Sequence, residues 1–221
     1  MEAVSWIGDV AGDMLVLEVA CGAGHVAEAI APHVRVVVGV DLTPELLDAG
    51  AQRLRDCGLR NVVLQQGNAA SLPFVDASFD VVCCRSSLHH FHDRDRAVHE
   101  MVRTCRSGGR IAVNDLVAPS ESTRHAFDDL HRMIDPSHVG CLLADDLTQI
   151  WPGHVTASLI DLSVHRFPIT VAFSDVSQTR SVLDRLEDEI AGGTPTGFEP
   201  ERHGDDIVVS FPVATVHATL P

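Results

Sequence analysis

The chain has 221 residues, 45% of them hydrophobic, and its 16 basic against 31 acidic residues give a formal net charge of −15. A chain of this length is typical of one domain whose core needs neither disulfides nor a metal for stability. Because a surface this acidic repels phosphate backbones and acidic lipid headgroups, we expect neither nucleic acid nor a membrane as a partner.

We expect neither a signal peptide nor a membrane-spanning segment. No run approaches the roughly 18 apolar residues that cross a bilayer. The N-terminal stretch MEAVSWIGDVAGD lacks the basic start of a signal peptide. The six cysteines show no CxxC pairing and no disulfide-scaffold spacing. We therefore expect a cytoplasmic protein with reduced thiols.

Apolar runs and amphipathic segments alternate through the first 118 residues. The predicted strands are 14–19, 34–40, 61–66, 79–84 and 110–117. The predicted helices are 25–31, 43–57 and a third that carries Val98, Met101, Val102 and Cys105 and is ended by Gly108 and Gly109. This alternation predicts right-handed crossovers and a doubly wound sheet with helices on both faces.

The remaining chain follows a different pattern. Residues 120–135 and 175–191 are predicted helices, 144–151 a short helix, and 155–167 and 205–220 long strands. Pro212 indicates an edge position or a bulge for the last strand. We predict a single domain over 1–221, with a small helical cap inserted at 119–140 and a further cap contribution at 174–205.

A glycine-containing loop follows the first strand. Gly22 and Gly24 let the backbone approach a ligand closely, and ligands of open α/β sheets bind at the carboxyl ends of the strands. Asp41 ends the second strand, where a carboxylate can hold both ribose hydroxyls of a nucleoside. An alternative role for Asp41 is on the N-terminal side of the helix that opens at Thr43.

Two adenosine-containing ligands fit this loop, a nicotinamide dinucleotide and S-adenosylmethionine. The third position of a GxGxxG motif is Ala27, which the looser form of the motif allows. Glu18, just before the loop, would repel a pyrophosphate but suits the ammonium group of S-adenosylmethionine. Capping of loop amides is the alternative role for Glu18.

The third and fourth strands also end in polar segments. Asn68, in GNAASLPF, can face an adenine amino group, with the next backbone N–H on a ring nitrogen. His89 and His90, after the fourth strand, are candidate general bases because of their near-neutral pKa, and we expect one of them to face the pocket. Asp93 is better explained as a helix N-cap than as a metal ligand, so we predict no metal site.

Five segments carry a resemblance to a known family. In order they are LEVACGAGHVA, GVDLT, GNAASLPF, SFDVVCCRSSLHHF and SGGRIAVND. Over residues 12–118 they resemble the class I S-adenosylmethionine-dependent methyltransferases, above all the ubiquinone/menaquinone-biosynthesis type that acts on small molecules. IDPSHVG resembles the cap segment of that group. The resemblance implies a mostly parallel Rossmann-like sheet with an antiparallel C-terminal strand, and S-adenosylmethionine as cofactor.

The resemblance also implies roles for individual residues. Cofactor binding would fall to Glu18, Ala20, Gly22 and Gly24 around the methionine, Asp41 on the ribose, Leu42, Asn68 and Ala69 on the adenine, and Arg85 beside the methionine end. His90 and then His89 would act as base or orienter near the methyl acceptor. In the cap, Asp135 and His138 are candidates for substrate binding, although contacts that stabilise the cap explain them equally well.

The chain departs from the family at three points. Asn68 stands where Asp is common, the chain contains no Tyr, and few residues precede the first strand, where relatives carry helices that close over the cofactor. A second copy in a homo-oligomer could supply that cover. We expect methyl transfer to carbon or oxygen of a small, apolar or aromatic acceptor. The alternatives are a cyclase-like or non-catalytic S-adenosylmethionine-binding protein and an NAD-dependent oxidoreductase; the latter leaves Glu18 unexplained.

Overall fold

Eight strands form one mixed sheet in the computed structural model, which describes residues 2–173 and 179–221. They are β1 (Leu15–Val19), β2 (Val36–Asp41), β3 (Val62–Gln66), β4 (Phe79–Arg85), β5 (Cys105–Leu116), β6 (Thr156–Pro168), β7 (Glu201–His203) and β8 (Asp206–Thr219). Their order is β3-β2-β1-β4-β5-β8-β6, with β7 paired to β8. Strands β1 to β5 are parallel, and β8 is antiparallel to both of its neighbours. The predicted Rossmann-like sheet with an antiparallel C-terminal strand is confirmed.

Helices connect β1 to β2, β2 to β3 and β4 to β5 and cover the sheet, while residues 67–78 join β3 to β4 without a helix. They are α1 (His25–Ile30), α2 (Pro44–Asp56), α3 (Arg94–Thr104), α4 (Glu121–Ile134), α5 (Ala144–Leu147) and α6 (Thr179–Ile190). Short 3-10 helices lie at Glu2–Ile7, Ala31–His33, Leu88–His90 and Ile169–Val171. Asp93 caps α3 by accepting a hydrogen bond from the Arg96 amide, as predicted. Residues 175–178 of the last predicted helix lie outside the described part of the chain.

The core lies on both faces of the sheet because side chains alternate along each strand. Val82 and Cys84 pack with α3 on one face, while Val81 and Cys83 pack with α1 on the other. The neighbouring cysteines therefore point to opposite faces. All six cysteines are free thiols, and five are buried.

A further apolar cluster joins α4 to the C-terminal part of the chain. Phe127 of α4 is fully buried and stacks on Phe198 with ring centroids 4.5 Å apart. The cluster also includes Leu130, Leu186 of α6 and Phe211 of β8. Helix α4 is therefore held against β8 and α6, while the separation of 119–140 and 174–205 as cap segments stays a prediction.

Three local expectations were wrong. The third predicted helix ends at Thr104 rather than at the two glycines, because Cys105 already pairs with Phe79 at the start of β5. The predicted helix over 144–151 is only the four-residue α5. Pro212 lies in neither an edge strand nor a bulge, since β8 runs between β5 and β6.

The position of Pro212 explains why a proline is tolerated inside the sheet. The last β5–β8 pair is Leu116 with Val213, and the Pro212 carbonyl accepts a bond from Val117 just beyond it. The missing N–H of the proline thus falls where the β5 ladder ends. Across residues 2–173 and 179–221, no helix has both the length and the apolar character that a membrane crossing needs.

Candidate active site

The glycine loop after β1 is fastened to the end of β2. One carboxylate oxygen of Asp41 accepts a bond from the Gly22 amide at 2.7 Å, and the other accepts from the Thr43 amide at 2.9 Å. Gly22 and Gly24 have φ values of 53° and 71°, in the left-handed region that favours glycine. A carboxylate has about four acceptor positions. Asp41 therefore keeps acceptor capacity for the two hydroxyls of a ribose, which is the donor chemistry that an adenosine ligand requires.

Glu18 is buried directly below this loop, with 3% of the residue exposed. Its carboxylate accepts a hydrogen bond from the Ala27 amide at 2.8 Å and so satisfies a free donor of the first turn of α1. Burial raises the pKa of Glu18 to about 8, against the lowering effect of that bond; nearby Asp41 raises it and Arg85 lowers it. A ligand cation beside this carboxyl would favour its charged form.

A first cavity of about 560 Å³ opens at the ends of β1, β2 and β3. Six of the predicted residues line it: Ala20, Asp41, Leu42, Asn68, Ala69 and His90. The side chain of Leu42 is an exposed apolar surface at its rim, 63% accessible, which suits packing on a flat base. The amide oxygen of Asn68 accepts a bond from the Ala70 backbone at 2.9 Å, which orients the side chain.

The other residues that line the first cavity were not predicted as site residues, although Thr43 and Asp93 were named at the starts of helices. These other residues are Val40, Thr43, Leu46, Gly67, Ala70, Ser87, Phe91, His92, Asp93, Ala97 and Ser137. Most directly follow a predicted strand or neighbour a predicted residue, so position at the strand ends was their only signal. Ser137 comes from the segment after α4 and carries no such signal.

His89 is held by a buried carboxylate. Its Nδ1 contacts Asp115 Oδ1 at the end of β5, and both side chains are almost fully buried. Asp115 Oδ2 also accepts bonds from the amides of Ser87, at 3.0 Å, and Leu88, at 2.5 Å. Asp115 was missed in the sequence, where an acidic residue ending an apolar strand was the available signal. The pair resembles an imidazole oriented for proton transfer.

His90 turns the other way and lines the first cavity. Its Nδ1 lies 3.0 Å from the Ser137 hydroxyl, and its Nε2 lies 3.8 Å from Asp135. Burial, followed by the nearby His89, lowers the pKa of His90. Asp135 therefore reaches the site through His90 and Ser137, and it lines neither this cavity nor the one described next.

A second cavity of about 300 Å³ lies on the opposite side of the segment that follows β4. Residues from four strands and α4 line it: Arg85, Ser86, His89, Asn114, Leu116, His131, His165, Phe167, Phe211 and Val213. Arg85 therefore borders the second cavity and not the first. Glu18, Gly22 and Gly24 line neither of the two.

His138, the other predicted cap residue, is buried and bonded to Asp128 at 2.7 Å. Its ring stacks on that of His131 with centroids 4.2 Å apart. Among the described residues, Asp128, His138 and Cys141 form the group whose atoms lie close enough, within 4.8 Å, to hold a metal ion. The hydrogen bonds that Asp128 accepts from His138 and from the Cys141 amide already account for this arrangement.

Comparisons with known proteins agree with this architecture. Residues 17–113 match the family profile described as a methyltransferase domain. An uncharacterized methyltransferase of Bacillus subtilis, YcgJ, is 42% identical over 125 residues, covering 56% of this chain and 49% of the relative. The crystal structure of YcgJ superposes with a TM-score of 0.88 at 25% identity, covering 100% of this chain and 97% of that one.

Two further similar proteins are named as methyltransferases. Demethylmenaquinone methyltransferase of Listeria welshimeri is 33% identical over 126 residues, covering 55% of this chain and 53% of the relative. A Haemonchus contortus phosphoethanolamine N-methyltransferase, solved with S-adenosylhomocysteine, has a TM-score of 0.63 at 18% identity, covering 100% of this chain and 52% of that one. This chain spans about half the length of the curated relatives it matches.

Residues 17–113 therefore belong to the methyltransferase-domain family, and the chain has the fold of the class I S-adenosylmethionine-dependent methyltransferases. The resemblance drawn from the sequence is confirmed, and the match to a methyltransferase domain supports the predicted cofactor, S-adenosylmethionine. The left-handed glycine loop and the free acceptor capacity of Asp41 fit that cofactor.

Proposed function

We propose that this chain transfers a methyl group from S-adenosylmethionine to carbon or oxygen of a small, apolar or aromatic acceptor. The observation that carries the proposal is Asp41, which borders the first cavity and is fixed by the glycine loop while keeping acceptor capacity for ribose hydroxyls. When bound, S-adenosylmethionine supplies a methyl group made electrophilic by its sulfonium. The chain has to bind the cofactor, align the acceptor and hold a proton.

Cofactor binding is assigned to residues around the first cavity and the loop above Glu18. Asp41 would bind the ribose, Leu42 would pack on the adenine, and Asn68 with the Ala69 backbone would read its edge. Gly22, Gly24 and Ala20 would let the loop pass close to the methionine, whose ammonium Glu18 would pair with. Alignment of this kind is worth up to several kcal/mol of the barrier.

Proton removal is assigned to His89, with His90 as an orienter. Nδ1 of His89 is engaged by Asp115, while its Nε2 has no hydrogen-bond partner among the described residues and the ring borders the second cavity. When bound, the cofactor would supply the methyl group and be left as S-adenosylhomocysteine, while the acceptor atom, oxygen or carbon, would give up one proton. The proton of the acceptor would pass to Nε2 of His89.

Calorimetric titration tests the cofactor assignment. S-adenosylhomocysteine should bind the wild type, and Asp41→Ala should weaken binding at least tenfold, or about 1.4 kcal/mol. Asp48→Ala, on the surface of α2, is the control and should change nothing. Binding of NADH instead of S-adenosylhomocysteine would contradict the assignment, and so would an Asp41→Ala variant that binds S-adenosylhomocysteine as tightly as the wild type.

Kinetics of the variants test the base. His89→Ala should lower kcat by about 10²–10⁴-fold, Asp115→Asn should lower it less, and the double variant should lose little beyond His89→Ala alone because the two act as one unit. His90→Ala should have the smaller effect of the two histidines. Wild-type rates in both histidine variants would contradict the role of a histidine as general base. Turnover of a substrate without formation of S-adenosylhomocysteine would favour the cyclase-like alternative.

A further inference from the structure

The second cavity lies close to the first, and the segment after β4 contributes to the lining of both. His89 borders it, while the next residue, His90, borders the first cavity. The segment after β4 therefore stands between two cavities of about 560 and 300 Å³. A volume near 300 Å³ is at the lower end of the usual range for small-molecule sites. The second cavity therefore suits a compact ligand.

The charge of the second cavity is opposite to that of the chain. Although the whole chain carries a net charge of −15, no acidic residue is among the described residues that line the second cavity. Arg85 is exposed there, and within the described part of the chain its guanidinium makes no hydrogen bond or ion pair. Such a free guanidinium binds a carboxylate through two parallel hydrogen bonds. The cavity is therefore suited to an anionic group.

One wall of the second cavity is aromatic. Phe167 of β6 and Phe211 of β8 stack with ring centroids 4.8 Å apart and planes 18° apart. The His131 ring stands edge-on to Phe211, with centroids 5.7 Å apart. Flat rings pack against such walls in offset or edge-to-face geometry. A planar ligand therefore fits the apolar part better than a branched aliphatic one.

His131 has a ring nitrogen that no described residue of the protein bonds to. The residue is 7% exposed and lines the second cavity, and its Nδ1 has no hydrogen-bond partner in the described structure. Burial lowers the pKa of His131 to about 3, so the ring is neutral at physiological pH. A buried nitrogen without a partner costs about 1–3 kcal/mol. A ligand hydroxyl that reached this nitrogen would remove that cost.

We propose that the second cavity is the acceptor site and that it takes an aromatic hydroxy acid. The carboxylate pairs with Arg85, the ring packs on Phe167 and Phe211, and a ring hydroxyl bonds to His131. The description of this cavity as an acceptor site rests on the proposed methyl transfer. The proposed binding of an aromatic hydroxy acid does not depend on it. Arg85 thus serves the acceptor instead of the methionine end of the cofactor.

Ligand-observed NMR on the protein saturated with S-adenosylhomocysteine tests the site. The probes are the three hydroxybenzoate isomers, the matching hydroxybenzamides, which lack the charge, and benzoate, which lacks the hydroxyl. We expect at least one hydroxybenzoate to bind about tenfold more tightly than its amide. Arg85→Gln should remove that difference, whereas Arg60→Gln, an exposed arginine elsewhere, should preserve it. His131→Phe should abolish the preference for the hydroxybenzoate over benzoate.

Two results would overturn the proposal. One is equal affinity for each acid and its amide in the wild type. The other is loss of S-adenosylhomocysteine affinity in Arg85→Gln with acid binding unchanged, which would return Arg85 to the cofactor. Failure of methyl transfer itself is seen separately, as an absence of S-adenosylhomocysteine production. Binding of the probes would then still report on the cavity.

Discussion

Ala20 occupies a backbone conformation that ordinarily belongs to glycine. Its φ is 55°, and it lines the first cavity at the end of β1. A residue with a side chain is less stable by about 1–2 kcal/mol in this region than in the right-handed one. Such strain persists where the contacts of the surrounding structure fix the backbone. The loop that passes close to the cofactor is therefore held in place at the expense of stability.

Ala20→Gly should raise the free energy of unfolding by about 1 kcal/mol, because the relieved strain exceeds the added chain entropy of glycine. Urea denaturation measures the change. Ala77→Gly is the matched control, since Ala77 has a φ of 53° but is exposed outside both cavities. It should stabilise similarly, and S-adenosylhomocysteine affinity should be unchanged. A destabilised Ala20→Gly variant would contradict this account.

Glu18 couples proton binding to both stability and ligand binding. Its folded pKa of about 8 lies above its ordinary value of 4.5, so the folded free protein holds a proton that the unfolded chain releases. Stability should therefore fall as pH rises between these values. Glu18→Gln should lose that slope and be more stable near neutral pH by a few kcal/mol. Glu28→Gln, which changes a half-buried acid paired with Arg53, should keep the slope.

Proton release on binding tests whether Glu18 faces the ligand ammonium. At neutral pH, S-adenosylmethionine should expel the proton from Glu18 because a cation favours the charged carboxylate. Calorimetry in two buffers of different ionisation enthalpy counts released protons. We expect release in the wild type and none in Glu18→Gln, together with weaker binding. Equal proton release in both proteins would show that Glu18 does not face the ligand ammonium and only caps α1.

At the scale of elements, α4 connects the second cavity to the core. Phe127, fully buried, stacks on Phe198, and His131 lies one turn further along the same helix. Phe127→Ala should lower the free energy of unfolding by about 3–5 kcal/mol through the cavity it leaves. Chemical denaturation measures it, with the half-buried Met133→Ala as a milder control. A loss below that of Met133→Ala would show that the stack does not hold α4.

The existence and type of the elements were easier to predict from the sequence than the residues at which they end. Buried parallel strands such as 34–40 are apolar on both faces, and this pattern is local and strong. The end of α3 depended instead on pairing between Cys105 and Phe79, residues far apart along the chain. Pro212 was misread for the same reason, because local sequence does not reveal where a neighbouring ladder stops.

The candidate site was predictable where it follows the ends of parallel strands. Asp41, Asn68 and His90 are brought to one cavity because the carboxyl ends of β2, β3 and β4 meet at one edge. The His89–Asp115 contact and the aromatic wall of the second cavity were not predictable. They depend on how β5, β6 and β8 are placed side by side, which no local spacing encodes.

At the scale of the whole molecule, the excess of negative charge works against the compact state. A net charge of −15 produces self-repulsion, which salt screens. Raising NaCl from roughly 20 to roughly 300 mM should therefore raise the Tm, in a fluorescence-monitored melt. Sucrose at matched osmolality is the control for general solvent effects. A Tm that falls with salt would show that specific ion pairs outweigh the net repulsion.

Oligomeric state stays a prediction. The first 3-10 helix, Glu2–Ile7, packs through Val4 and Ile7 on the α1 face of the sheet, so its described contacts lie away from the first cavity. A second copy in the predicted homo-oligomer is one source of cover for that cavity. Light scattering with and without S-adenosylhomocysteine measures the mass. A monomer under both conditions would contradict cover by a second copy.

A crystal structure with S-adenosylhomocysteine bound tests the central assignment most directly. Our account places the ribose on Asp41, the adenine between Leu42 and Asn68, and the methionine end above Glu18, with the sulfur directed towards the segment after β4. Density for the nucleoside in another cavity, or a ribose without contact to Asp41, would contradict it.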